Sequence, residues 1–171
     1  MNDDLQKGRQ VPSTADGDSI RLQSAPVGGP ERRSRLTSEI MAQTGIDEAM
    51  IERLVRTFYG RVRLDPLIGP IFAARVADWE HHIAKLCAFW SSVALMSGRY
   101  HGQPMQKHVG LPIGGEHFDR WLSLFEATAM ELCPVAAAAH FIERARRIAE
   151  SLEMGIATRE GRIYSPRHSV S

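Results

Sequence analysis

Cysteine is nearly absent from this 171-residue chain: Cys87 and Cys133 are the only two, they form no CxxC pair, and both fall inside helical patterns. A disulfide scaffold and a thiolate zinc site are therefore not indicated, and both thiols read as small buried hydrophobes. An excess of one charge is lacking too. Acidic and basic residues are mixed along the sequence to a formal net charge of +1, so there is no electrostatic footprint for nucleic acid or a membrane surface. No stretch approaches the roughly 18 uninterrupted apolar residues of a membrane span. The first ten residues, MNDDLQKGRQ, are polar with no apolar signal-peptide core, so secretion is disfavoured and a cytoplasmic location is expected. Alternating strand patterns, internal repeats and a Gly-rich phosphate loop are all missing.

What remains is helical periodicity. With 43% hydrophobic and 24% charged residues, the chain suits one globular domain and leaves no room for a second. Residues 1–43 hold no Phe, Trp or Tyr but include Pro12, Pro26 and Pro30, which reads as a disordered polar tail. A helix is expected from Thr44, with Ile46, Met50, Ile51, Leu54, Val55, Phe58 and Val62 on one face and Tyr59 at its edge, ending at the Asp65-Pro66 break. A turn over 65–70 leads through Ile71 and Phe72 to a long helix over 79–96, closed by Gly98. A short helix follows over 104–108, then one from Glu116 to about Cys133, and a last one from Val135 to Met154 before Gly155. The domain is thus expected over 44–155, with a flexible tail over 156–171. The class is all-α, four long helices and one short.

Two histidines sit in distinct settings. On a helical wheel His82 shares a face about 100° wide with Leu86, Phe89, Trp90 and Val93, so an imidazole is aimed into a stripe that otherwise carries only carbon. His81 falls off that face. His108 closes the Pro-started segment PMQKH, whose helix can hardly exceed two turns before Gly110 and Pro112. An inward imidazole on a short helix facing another on a long one implies a flat ligand between them. Pattern alone also admits plainer readings: hydrogen-bonded core histidines, Tyr59 with its hydroxyl in water, and Trp121 as bulk whose indole N–H finds a carbonyl. His101, His117, His140 and His168 read as solvated or capping residues, and Lys85 as a solvated lysine.

Four blocks in order, FYGRVRLDPLIGPIF, DWEHHIAKLCAFW, GQPMQKH and HFDRWLSLFEAT, resemble the group III truncated haemoglobins over residues 46–154. The resemblance implies a shortened globin fold, a two-over-two helical sandwich around a haem, here haem b (iron protoporphyrin IX). It makes His108 the proximal iron ligand and the only metal ligand from the protein. His82 becomes the distal histidine, Tyr59 and Trp121 the distal hydrogen-bond donors, Phe72 a ring packed on the haem, and Leu86 and Phe89 the distal wall, with Lys85 a candidate contact for a haem propionate. Gly-Gly pairs around the distal helix, which mark the other truncated groups, are lacking, and Gly114-Gly115 lies elsewhere.

The function so implied is reversible binding of O₂, NO or CO at a pentacoordinate haem iron, with a Tyr, His and Trp distal pocket. Oxygen transport falls within that reading. An enzyme, an NO dioxygenase or peroxidase-like catalyst fed by an electron-donating reductase, would use the same site. A haem-free helical interaction module, with the aromatic stripes simply as core, is the third expectation.

Overall fold

Aspartates start two of the long helices. The Asp47 carboxylate accepts from the Met50 amide at 2.7 Å and begins α2 (Glu48–Leu64), while that of Asp78 accepts from the His81 amide at 3.0 Å and begins α4 (Trp79–Leu95). Such caps each contribute about 1 kcal/mol. The protein, seen here as a computed structural model describing residues 29–164, adds α1 (Gly29–Thr44), α3 (Gly69–Ala73), α5 (Pro104–His108), α6 (Gly115–Leu132) and α7 (Val135–Arg159). No strand occurs among the described residues.

The pairs α2–α4 and α6–α7 pack on one another, joined by α2 against α6 and α4 against α7, which makes the two-over-two sandwich. Each of α2, α4, α6 and α7 contributes a fully buried aromatic ring to the centre: Phe58, Trp90, Phe125 and Phe141. Trp90 stacks on Phe125 at 4.7 Å, and Phe58 meets Phe125 edge-on at 5.1 Å. Apolar area removed from water, with added ring–ring attraction, holds the four helices in one arrangement.

Beside this core, the buried Asp65 carboxylate locks the turn between α2 and α3 to α6. It accepts from the amides of Leu67 and Ile68, each at 3.0 Å, and from Arg120 Nε at 2.7 Å. Burial alone pushes its pKa up. The two amides and the guanidinium outweigh that effect and leave it below the ordinary aspartate value.

Three boundaries differ from the sequence expectation, and the stretch expected as a turn leading through Ile71 and Phe72 contains the short helix α3, with Pro70 at its start. Residues 29–43 were assigned to the tail, but they form α1, which packs on α4 and α7. Composition averaged over the whole N-terminal stretch hid a local helical segment in which Leu36 and Ile40 lie four residues apart and Ile40 packs against the core. Residues 1–28 lie outside the described residues. Thr44 ends α1 rather than beginning the next helix: Gly45 adopts a positive φ of 71°, and its amide bonds the Met41 carbonyl, a turn only glycine makes without strain. Finally, α7 does not stop before Gly155 but runs to Arg159, because Ile156 and Ala157 are buried and reward its continuation. Residues 165–171, expected as tail, lie outside the described residues.

The end of α4 is held by side chains rather than by Gly98. Its last carbonyls accept from Arg144 Nε (Val93 oxygen, 3.1 Å), His140 Nε2 (Ala94 oxygen, 2.8 Å) and Thr37 Oγ1 (Leu95 oxygen, 2.7 Å). Met96 then takes a left-handed conformation. Groups from α1 and α7 thereby satisfy orphan acceptors that the helix cannot satisfy itself.

Candidate functional site

A cavity of about 490 Å³ opens between α4 and α5, and all eight of the expected site residues line it: Tyr59, Phe72, His82, Lys85, Leu86, Phe89, His108 and Trp121. Its size falls in the range of small-molecule and cofactor pockets, and its walls are mostly aliphatic and aromatic.

His108 ends α5. Its Nδ1 lies 2.8 Å from the Pro104 carbonyl oxygen, which can only accept, so the ring donates from Nδ1, and the neutral imidazole then carries its lone pair on Nε2. An imidazole fixed in this tautomer is a ready metal ligand. Pro104 plays two parts: it begins the helix and supplies the carbonyl.

His82, on the long helix, is surrounded by rings. Trp79 stands 5.7 Å away, Tyr59 6.0 Å and Phe72 6.5 Å between centroids. Its Nε2 is buried without a hydrogen-bond partner among the described residues. A buried polar atom left without a partner calls for an explanation, and a ligand in the cavity supplies one. Burial first, then the charges of Lys85 and His81, hold its pKa below the ordinary histidine value, so the ring is neutral near pH 7.

Tyr59 was expected at the edge of its helix face, yet it is buried, because Phe58 and Phe72 pack edge-on against it at 4.8 and 5.7 Å. Burial pushes its hydroxyl far above the usual tyrosine range, partly countered by a hydrogen bond from Trp121. The phenol therefore keeps its proton at any physiological pH. Its oxygen accepts from the indole, and its own hydrogen remains to be donated. Trp121 is in turn fixed by stacking on Phe125 at 5.4 Å.

Several lining residues escaped the sequence reading. Arg75 and Lys107 join Lys85 as exposed cations of the lining, and among the described residues no carboxylate lines the cavity. Lys107 neighbours His108 in PMQKH, but nothing in the spacing distinguishes it from a solvated lysine. His117 was read as solvated or capping; its Nδ1 does accept from the Gly114 amide at 3.1 Å, and the ring also lines the cavity. The donor set fits haem: an imidazole with a free Nε2, an orphaned nitrogen on the other histidine, apolar walls, and cations for the carboxylates.

Two crossed helix pairs enclosing a pocket with an imidazole on each of two elements define the globin class of helical proteins. The chain belongs to the bacterial-like globin family, whose family model matches residues 40–156. It is 41% identical over 86 residues to the group 3 truncated hemoglobin ctb of Campylobacter jejuni, covering 47% of this chain and 68% of that protein. It is 32% identical over 80 residues to the group 2 truncated hemoglobin YjbI of Bacillus subtilis, covering 46% of this chain and 61% of that one. The crystal structure of the group III truncated hemoglobin from Campylobacter jejuni superposes with a TM-score of 0.61 at 34% identity, over 65% of this chain and 91% of that chain. The resemblance read from the sequence is borne out at the level of family and fold, and globin membership implies a haem protein. No helix among the described residues is long and apolar enough to cross a membrane.

Proposed function

We propose that this chain binds haem b in the cavity, with His108 as the one iron ligand from the protein, and holds O₂, NO or CO reversibly on the side of His82. The observation that carries this reading is the 2.8 Å contact between His108 Nδ1 and the Pro104 carbonyl, which leaves Nε2 as the donor atom within a cavity-lining ring. Haem, when bound, would supply an iron able to take a diatomic ligand. The side chains do the rest. Phe72, Leu86 and Phe89 exclude water, so a hydrogen bond inside the pocket acts in a low-dielectric medium. Tyr59, kept protonated by burial and aligned by Trp121, donates to a ligand that carries partial negative charge. Neutral His82, its Nε2 otherwise unpartnered, is the gate residue. Lys85, with Arg75 and Lys107, meets the cofactor carboxylates.

The polar Tyr59 and Trp121 pair also suits an NO dioxygenase or peroxidase-like reaction supplied by a reductase, and turnover of NO with such a donor would favour that second reading. Globin membership leaves the haem-free interaction module without support. Ultraviolet-visible spectra of the ferric, ferrous and CO forms test the proposal. A Soret band with a histidine-ligated ferrous CO spectrum is expected, and its absence after expression with haem supply would overturn it.

A further inference from the structure

We infer that Gly155, in the interior of α7, is a positioning residue that sets the placement of His108 by receiving the side chain of Met105. The inference rests on the reading of His108 as the iron ligand. Its first support is an apparent defect in the sequence: glycine inside a helix costs about 1 kcal/mol relative to alanine, yet α7 runs straight through Gly155 and on to Arg159. The cost has a local reason. A Cβ at Gly155 would lie 2.2 Å from Met105 Cε and 2.8 Å from Met105 Sδ. The thioether of the short helix thus occupies the volume that any other residue at 155 would fill.

The second support is that, among the described residues, α7 is the one helix against which the α5 backbone packs. Five residues of helix, with no side-chain cap at Gln103, cannot hold their own position. Met105 and His108 are three residues apart, on nearly the same face of α5, so the residue seated on Gly155 and the proposed ligand move together. A bulkier residue at 155 must drive Met105 back by more than about 1 Å to reach the ordinary 3.5–4.0 Å carbon separation. Methionine is flexible and absorbs part of that displacement. The remainder is passed to α5 and to the His108 ring.

The test uses the full-length, haem-loaded chain and compares wild type, Gly155→Ala, Gly155→Val, Met105→Ala and the double variant Met105→Ala/Gly155→Val. The readouts are the iron–histidine stretching band of the ferrous form, the CO association rate and the thermal midpoint. Gly155→Val is expected to shift the band and change CO association by about threefold or more, the equivalent of roughly 0.65 kcal/mol. Gly155→Ala should change both less while keeping or raising the thermal midpoint, since alanine favours the helix. Removing the Met105 side chain should return the band and rate of the double variant toward wild type. A purely structural glycine would move the thermal midpoint alone, so an unshifted band in both Gly155 variants, or a shift that Met105→Ala leaves uncorrected, overturns the inference. If Gly155→Val fails to fold, Gly155→Ala and Met105→Ala decide it, because both alter the same contact: a shifted band in either supports the inference, and wild-type bands in both overturn it. Failure of the underlying reading shows separately, as an iron–histidine band that persists in His108→Gly.

Discussion

The Nδ1 of His108 lies 2.8 Å from the carbonyl oxygen of Pro104, four residues earlier on the same five-residue helix. The helix therefore orients its own terminal imidazole through a backbone bond and needs no second side chain to fix the tautomer. His108→Gly should abolish haem retention while leaving the helical far-ultraviolet spectrum intact, and millimolar imidazole should restore a five-coordinate ferrous spectrum. A native spectrum in the variant without added imidazole would remove His108 from its proposed role.

Tyr59 and Trp121, proposed to act on the bound ligand, are coupled, because the indole bonds the phenol and both line the cavity. A hydrogen bond to a charged group is worth about 1.5–3 kcal/mol, or roughly 10- to 150-fold in a dissociation rate. Tyr59→Phe should accelerate O₂ release within that range, and Trp121→Phe should do so partly by freeing the Tyr59 hydroxyl. CO, which carries less charge on its outer atom, should respond much less. The double variant should fall short of the product of the single effects, since Trp121 acts through the Tyr59 hydroxyl. Stopped-flow O₂ displacement by CO measures all four proteins.

Asp65 predicts an acid limb of stability. Its folded-state pKa is lowered, so its contribution is fully present above the unfolded value near pH 4 and is lost as pH falls through the folded one. Asp65→Asn should destabilise the neutral protein by about 1–3 kcal/mol, through impaired bonds to Leu67, Ile68 and Arg120. It should also flatten the fall of stability between about pH 5 and pH 2. Urea midpoints across that range provide the measurement.

Helix α1 should contribute to stability through the end of α4. Thr37→Val removes the 2.7 Å bond to the Leu95 carbonyl and should cost about 1 kcal/mol. Deleting residues through Thr44 should cost more, because Ile40 also leaves the core. An unchanged thermal midpoint after that deletion would show α1 to be dispensable.

Helical periodicity alone determined the type and order of α2, α4, α6 and α7, since Phe58, Trp90, Phe125 and Phe141 lie on apolar faces that 3.6-residue spacing makes visible. The break at Pro66 and the short helix ending in His108 were equally local, set by proline chemistry. Four ordered blocks made the family and the eight lining residues readable as well. Composition averaged over the N-terminal stretch hid α1, and what holds it, the Thr37–Leu95 bond, joins residues 58 positions apart that no window of sequence contains together. Gly155 was read as a stop for the same reason: only the approach of α5 shows that the missing side chain makes room for Met105. Tertiary structure likewise decided the ionisation of the site, by burying Tyr59 beside Trp121 and leaving His82 Nε2 without a partner. Periodicity states which residues turn inward, whereas the hydrogen bonds and charges they meet there depend on segments that the chain brings together only by folding.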